Sequence, residues 1–536
     1  MVKKYFGIDL GTTYSCIACC NDNDKTAYPI LNGSVWSVPS VVYFDTNGTP
    51  KVGTYAKSRL KIMDNAERTI KEAKLEMGQQ YCNDKIVIGP INSNVTRQVS
   101  PIEVSSCILN YMMKMGIDDA LTNGEEVDRE AVITVPAGFS FEQRTYTKKA
   151  AQLAGIHVLG LLQEPTAAAL AHNIADGETV LVFDLGGGTL DVSIVRHISN
   201  KYEVLGIASD TKVLGVGNNI GGKNWDDILA RVACQKHKVD FQNADRKDKA
   251  YLLCEAEDRK KDLSEPNITS IDFKFSDNTI ENISRTQFER NCHKLLNDCI
   301  KVVESAIEDA QYKLGNEPLI LGRFLLVGGS SKMPMIRQAL DQAFTDKYSN
   351  GKESSRWMLV TNRPETSIAE GAAIYARLLR NGVDIKDILY INDRSQCSYG
   401  TSKFENNHRR IRNIIKKNEN MVVTEKRFKF RTHDDNQRFI PVDIFENNSI
   451  EDTIDIDDST KQIFDEIYEI DHNVPKKTRI DFIVSRDQDG LITIKVQLNG
   501  CAPKVFNADT SVPLEHIIEE QIKKSINLMQ QSLKSF

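Results

Sequence analysis

Nowhere in the 536 residues does an apolar run approach the roughly 18 needed to cross a bilayer, which excludes a helical membrane span. Met1-Val-Lys-Lys4 carries the charge of a secretory leader, but Tyr5-Phe-Gly-Ile-Asp9 follows at once, leaving no room for an apolar core of one. The C-terminus shows no retention or lipidation signal. The eleven cysteines are odd in number, with no Cys/His cluster at zinc spacing, and Cys19 and Cys20 are adjacent. Such a set reads as thiols in a reducing compartment rather than as a disulfide framework. The expected location is the cytoplasm. An excess of one charge is missing as well: 68 Lys and Arg against 74 Asp and Glu leave a net charge of −6. That makes no broad case for nucleic acid or an anionic membrane as partner.

What is present is ordinary globular composition, 40% apolar and 26% charged, which argues against wholesale disorder. The length implies about two to four domains. Up to about residue 380, β-branched runs alternate with helical stretches, the pattern of α/β layers. Ala131-Val-Ile-Thr-Val135, Thr179-Val-Leu-Val-Phe183 and Phe324-Leu-Leu-Val327 read as strands buried on both faces. From about residue 395, Arg427-Phe-Lys-Phe430 and Val442-Asp-Ile444 alternate with period two, and Ile480 to Val484 with Leu491 to Leu498 reads as a hairpin turning at Gly490. This part is expected to be a small antiparallel β domain. Between the two, Val383 to Ile391 fits either a strand or an apolar linker. In the tail, Ile518, Ile522, Ile526, Met529 and Leu533 recur at helical spacing, with Glu519 and Glu520 four residues ahead of Lys523 and Lys524. Such a stripe packs on the protein's own body more often than on a partner helix.

The informative repeat is Gly7-Ile-Asp9-Leu-Gly11-Thr12-Thr13 against Phe183-Asp184-Leu-Gly186-Gly187-Gly188-Thr189. Each joins one β run to the next. Glycine lets backbone N–H groups approach phosphate oxygens, threonine adds hydroxyl donors, and an Asp at the strand end can hold Mg²⁺ through water. One such loop is more often a plain turn. Two copies at the starts of successive halves imply a duplicated fold whose loops grip one triphosphate across a cleft. Val327-Gly328-Gly329-Ser330 follows a third buried run and is a candidate for the nucleoside side.

These segments resemble the 70 kDa heat-shock chaperone family. The resemblance is carried by Gly7 to Ser15, Ile133-Thr-Val-Pro-Ala137, Glu164-Pro-Thr-Ala-Ala-Ala169, Phe183 to Val192, Leu326-Val-Gly-Gly-Ser330 and Glu370-Gly-Ala-Ala373, in the family's order over residues 5–375. It implies an α/β actin-like (ribonuclease H-like), two-lobed ATPase domain over 1–380 and a linker over 381–394. A β-sandwich binding unfolded peptide segments would follow over 395–508, then a helix over 509–536 as a shortened lid. It also implies ATP hydrolysis to ADP and phosphate with Mg²⁺ and K⁺. Asp9, Asp184 and Asp191 match the carboxylates around metal and attacking water. Thr12, Thr13 and Thr189 match phosphate-contacting hydroxyls, with Gly11, Tyr14, Gly186, Gly187, Gly188, Gly221 and Gly222 in the same nucleotide-binding set. Lys74 matches the catalytic lysine and Glu164 the active-site glutamate. Lys71, one helical turn earlier, is the competing choice, disfavoured by the Met77-Gly78 spacing. Taken alone, either lysine would read as a solvated helix charge. Glu257, Lys260, Lys261 and Ser264 match the adenosine-binding helix, and Gly328, Gly329, Ser330, Lys332 and Glu365 complete the set. Lys261 and Lys332 stand where Arg is usual, which removes a guanidinium that would stack on adenine.

The sequence departs from the family pattern at Gly221-Gly-Lys-Asn-Trp-Asp226, where Lys223 and Asn224 replace two acids, and in an insertion around Lys212 to Ile220. Gly160 aligns with a surface Arg that meets J-domain co-chaperones, and the linker reads Asp387-Ile-Leu-Tyr-Ile-Asn392. Coupling to a J-domain partner or a nucleotide exchange factor is thereby in question. Three functions stand open: an ATP-driven peptide-binding chaperone, an ATP-binding regulatory or scaffold protein with slow, uncoupled hydrolysis, and a small-molecule kinase of the same fold. The kinase is weakest, since no acceptor-binding motif is present. Lys74, Glu164, Thr189 and Asp191 are all in place, which favours the chaperone.

Overall fold

The computed structural model describes residues 3–534 apart from short stretches, of which 384–394 and 509–515 are the longest. The expected linker from Asp387 to Asn392 therefore lies outside the described residues. The chain divides into two compact units, one of Met1–Ala137, Thr147–Ile385 and Ile518–Phe536, the other of Gly138–Tyr146 and Lys386–Ile517.

The first unit holds two sheets of the same plan. In one, His157–Gln163, Glu130–Val135 and Lys4–Asp9 run parallel, then Tyr14–Asn21 and Tyr28–Pro29 continue antiparallel. In the other, Met358–Val360, Arg323–Val327 and Thr179–Leu185 run parallel, then Leu190–Ile198 and Lys201–Ser209 continue antiparallel. The repeat seen in the loops is thus a repeat of whole sheets. Phe6, Ile8, Val132, Ile133, Leu181, Phe183, Leu325 and Leu326 are buried, as continuous apolar strands require. Parallel neighbours need crossover helices. The helices that follow the outermost parallel strand of each sheet, Glu164–Ala171 after His157–Gln163 and Ser367–Arg380 after Met358–Val360, pack closely through small residues: a Cβ on Gly371 would lie 1.7 Å from the Ala167 carbonyl oxygen.

Cys16-Ile-Ala-Cys19 has the spacing of a paired-thiol motif, but it lies inside the strand Tyr14–Asn21. Residues three apart in a strand point to opposite faces, so these two thiols do not share a ligand.

The helix Pro101–Thr122 starts where its sequence says it should. Ser100 caps it by accepting from the Glu103 N–H at 3.0 Å, and Pro101 fills the first turn. Glu103 is fully buried and held by Arg97 through two bonds of 3.0 Å. It also accepts from the Ser525 hydroxyl at 2.6 Å, which brings in the tail helix His516–Lys534. Ile518, Ile522, Ile526 and Met529 of that helix are buried, and the Asn110 amide meets the Met529 sulfur at 3.7 Å. The stripe packs on the protein's own body, as its spacing suggested. This helix groups with the first unit rather than with the β unit that precedes it in sequence.

The second unit pairs a five-stranded with a four-stranded antiparallel sheet. The first runs Thr453–Asp455, His408–Ile415, Ser398–Glu405, Gln437–Asn447, Lys461–Val474; the second runs Val423–Arg431, Arg479–Arg486, Ile492–Leu498, Lys504–Asn507. Val442, Ile444, Phe482, Val484 and Ile494 share one core with Phe141. The expected hairpin is present, with Ile480 paired to Leu498 and Gly490 at a φ of 85°. Period-two reasoning fails at Val442-Asp443-Ile444, because Asp443 is buried too. It accepts from the Thr401 hydroxyl (2.9 Å), the Ser402 N–H (2.7 Å) and hydroxyl, and Arg409 (2.7 Å), which satisfies a charge the pattern assigned to solvent.

Ile522 is fully buried. Ile522→Ala should lower the unfolding free energy of the first unit by about 2–5 kcal/mol. Calorimetry should show that unit's transition shifting while the transition of the second stays in place.

Candidate functional site

Two hairpin turns meet in the first unit. A Cβ on Gly187 would lie 2.1 Å from the Thr13 hydroxyl oxygen, and one on Gly188 would lie 2.5 Å from the Thr12 methyl carbon. The loop after Thr179–Leu185 therefore touches the loop after Lys4–Asp9, and only glycine fits the contact. Each loop is braced from behind. The Gly11 N–H donates to the Ser15 hydroxyl at 3.2 Å and its carbonyl accepts from Ser40 at 2.8 Å. Gly186 donates to the Thr189 carbonyl at 3.1 Å and accepts from the Ser330 hydroxyl at 2.9 Å, so the third glycine turn buttresses the second.

Below the loops lie carboxylates around one ammonium group. Lys74 sits in the single turn Ala73–Glu76, and its Nζ donates to Glu164 Oε1 at 2.7 Å. Lys71, the competing candidate, turns a half-exposed side chain to Glu72 at 3.6 Å instead. Asp9 ends its strand and accepts from the Thr134 hydroxyl at 3.2 Å. Asp184 and Asp191 are direct partners across their antiparallel ladder. Burial, then the Glu164 charge, push the Asp9 carboxyl up to about 7 against the pull of Lys74. Burial, Glu164 and Asp210 push Asp191 up to about 7 as well, and Asp184 is raised well above the ordinary range by burial and by its acidic neighbours. Burial works against the Lys74 charge, but Glu164 and Asp9 outweigh it and raise its pKa.

One ammonium among these carboxylates leaves a negative site that calls for a cation. Among the described residues no three Asp, Glu, His or Cys side chains converge at direct ligand spacing. Magnesium keeps much of its hydration shell and takes only one or two carboxylates plus phosphate oxygens, a demand that Asp9 and Asp184 at the cleft can meet. The residues present fit Mg²⁺ bound together with a polyphosphate.

Asp9, Gly11, Thr12, Thr13, Tyr14, Lys74, Glu164, Asp184, Gly186, Gly187, Gly188 and Thr189 all line one cleft of about 1800 Å³. Its far side is lined by Gly222, Glu257, Lys260, Lys261, Ser264, Gly328, Gly329, Ser330, Lys332 and Glu365. Two expected residues stand behind the lining. Asp191 lies beside Asp184, and Gly221 packs under the second loop, where its Cβ would lie 2.5 Å from the Gly187 carbonyl.

Several side chains on this far side are already engaged with one another. Lys260 is buried, 2.7 Å from Asp226 and 2.8 Å from the Gly222 carbonyl, so it braces the start of the helix Gly222–His237. The Ser264 hydroxyl donates to the Lys260 carbonyl at 2.9 Å, and Lys332 pairs with Glu365 at 2.9 Å. At the mouth, Glu257 accepts from the Tyr14 hydroxyl at 2.5 Å and pairs with Lys57 at 2.7 Å and Lys261 at 2.8 Å. Burial would raise the Glu257 carboxyl, yet Lys261 and Lys57 together hold it far below its usual range. Lys261 also lies 4.5 Å from the Tyr14 ring centroid, a cation–π contact. Lys57 was invisible to sequence reasoning, since a lone charge on a helix carries no pattern, and Asp226 was named only as the end of the segment Gly221-Gly-Lys-Asn-Trp-Asp226. Gly160, aligned with a surface Arg, is buried opposite Val132 beside a bulge in the ladder.

The Hsp70 protein family matches residues 5–531. The chain is 31% identical over 553 aligned residues to a chaperone protein dnaK of Gracilaria tenuistipitata var. liui, across 98% of this chain and 83% of that relative.

Burial pushes the Asp226 carboxyl up to about 6, although Lys260 pulls it down. Lys260→Ala strands that acid without a cation and should destabilise the first unit by about 3–5 kcal/mol. K260M combined with D226L removes both charges and should cost less than K260A. Urea unfolding of the two variants makes the comparison.

Proposed function

This chain belongs to the Hsp70 protein family, and from that premise we propose that it is an ATP-dependent molecular chaperone. The observation that carries the proposal is the cleft. Its two Asp-Leu-Gly hairpin loops are pressed together at Gly187 and Gly188 against Thr13 and Thr12, with Lys74 tied to Glu164 beneath them.

In this reading the first unit is the actin-like ATPase. Backbone N–H groups of the glycine loops and the hydroxyls of Thr12, Thr13 and Thr189 bind the phosphates. Lys74, oriented by Glu164, stabilises charge developing on the transferred phosphoryl oxygens. Glu164 keeps the ammonium in place and excludes other rotamers. Asp9, Asp184 and Asp191 would hold Mg²⁺ and would orient the attacking water. When bound, Mg²⁺ neutralises phosphate charge, and K⁺ is the expected second cation. Glu257, Lys260, Lys261, Ser264, Gly329, Lys332 and Glu365 surround the nucleoside. Lys261, in place of a stacking Arg, gives a weaker grip on adenine.

The second unit, with two antiparallel sheets around one core, is proposed to bind unfolded segments of client proteins. With the tail helix packed in the first unit, release of such segments is expected to be fast. Co-chaperone contacts are proposed with less support, since Gly160 offers no side chain. The cytoplasm is the proposed compartment, and no helix among the described residues is long and apolar enough to cross a membrane.

Single-turnover ATP hydrolysis with and without an unfolded peptide tests the coupling. Peptide should accelerate turnover. Lys74→Ala should slow the chemical step about a hundredfold or more while nucleotide still binds. Slow hydrolysis that neither peptide nor a J-domain protein changes would favour an ATP-binding scaffold instead.

A further inference from the structure

Lys223 opens the helix Gly222–His237 and connects to both sides of the cleft. Its backbone N–H donates to the Gly187 carbonyl at 3.0 Å, and the N–H of Gly222 donates to the Gly186 carbonyl at 3.0 Å. The helix start is thus stitched to the second glycine loop. The Lys223 side chain reaches the other way, with Nζ 3.2 Å from Glu72 Oε2. Glu72 immediately precedes the turn Ala73–Glu76 that carries Lys74, and it has φ 59° and ψ 20°. Side chains seldom adopt that left-handed conformation, and here it places the carboxylate within reach of Lys223.

Glu72 has a local partner in Lys71 at 3.6 Å, whereas Lys223 comes from the half of the unit built on the second sheet. Burial would raise the Glu72 carboxyl, but Lys71 and Lys223 outweigh it and keep it ionised below its usual range. Both partners line the cleft, as do Lys57 and Glu257, whose ion pair joins the helix Thr54–Arg59 to the helix Arg246–Ser264. A nucleotide held against the glycine loops would sit between these two bridges.

We infer that the Lys223–Glu72 ion pair is a latch across the phosphate side of the cleft, tying the second glycine loop to the Lys74 turn and slowing escape of bound nucleotide. The inference rests on the reading of this cleft as an ATP site. Lys223 stands where an acid was expected on grounds of resemblance, so the bridge comes from this chain's own sequence. Its two side chains are 35% and 25% exposed, which makes it a rate-setting contact rather than a structural one.

The test is stopped-flow release of a fluorescent N-methylanthraniloyl-ADP, chased with unlabelled ATP, in the full chain. K223E and E72K each place like charges face to face, and each should speed release about three- to tenfold. The double variant K223E/E72K restores opposite charges and should return to within about twofold of the unaltered protein. K223Q and E72Q should give smaller accelerations of similar size, and the unaltered protein should release faster as salt is raised. Equal rates in all variants, or a double variant as fast as the single ones, would overturn the latch. Acceleration by K223Q with none by E72Q would also overturn it, making Lys223 a direct phosphate contact. If the unaltered protein fails to bind the labelled nucleotide, the ATP reading falls, which is a different result from equal release rates.

Discussion

A single ammonium group, Lys74 Nζ, sits beside Glu164 and under the influence of Asp9, Asp184 and Asp191, in a place largely closed to water. Buried like charges repel strongly, so these carboxylates remain together where a cation offsets them or where some hold a proton, as their raised pKa values allow. Lys74 supplies part of that offset and an incoming cation the rest. Much of the first unit serves this one requirement. The strand Lys4–Asp9 ends at one acid, the Thr179–Leu185 hairpin sets Asp184 opposite Asp191, and a helix begins at Glu164 to meet the lysine. The acids come from both sheets, so the site exists only while the two halves stay together.

Two kinds of contact keep them together. Close packing of small residues, Gly371 on Ala167 and the glycine loop on Thr12 and Thr13, leaves no room for side chains and therefore tolerates little displacement. The ion pair Lys223–Glu72 is partly solvated and adds little to stability, whereas Lys57–Glu257 is largely buried and Lys57 helps hold the Glu257 carboxyl far below its usual range.

What was legible in the sequence and what was not divides along physical lines. The glycine loops, buried strands and tail helix could be read because each follows a local rule of period or turn chemistry. Asp443 escaped because an interior carboxylate in an alternating strand looks like a solvent-facing one until its partners Thr401, Ser402 and Arg409 are brought up from elsewhere. Lys57 escaped for the same reason, as did the partners Glu72 of Lys223 and Lys260 of Asp226. Lys260 could be placed at the cleft by resemblance, but its engagement with Asp226 is a long-range fact.

By itself the sequence determined that there are two matching phosphate-type loops, which strands are buried on both faces, and that the tail has one apolar stripe. These follow from backbone freedom at glycine and from side-chain period, both local properties. Tertiary structure alone decided that the two loops touch, that Lys74 rather than Lys71 meets Glu164, and that the tail stripe is buried within the first unit. Each of those depends on residues far apart in the chain. Their pairing is set by how the two sheets pack and by the cost of leaving a charge or an apolar face without a partner.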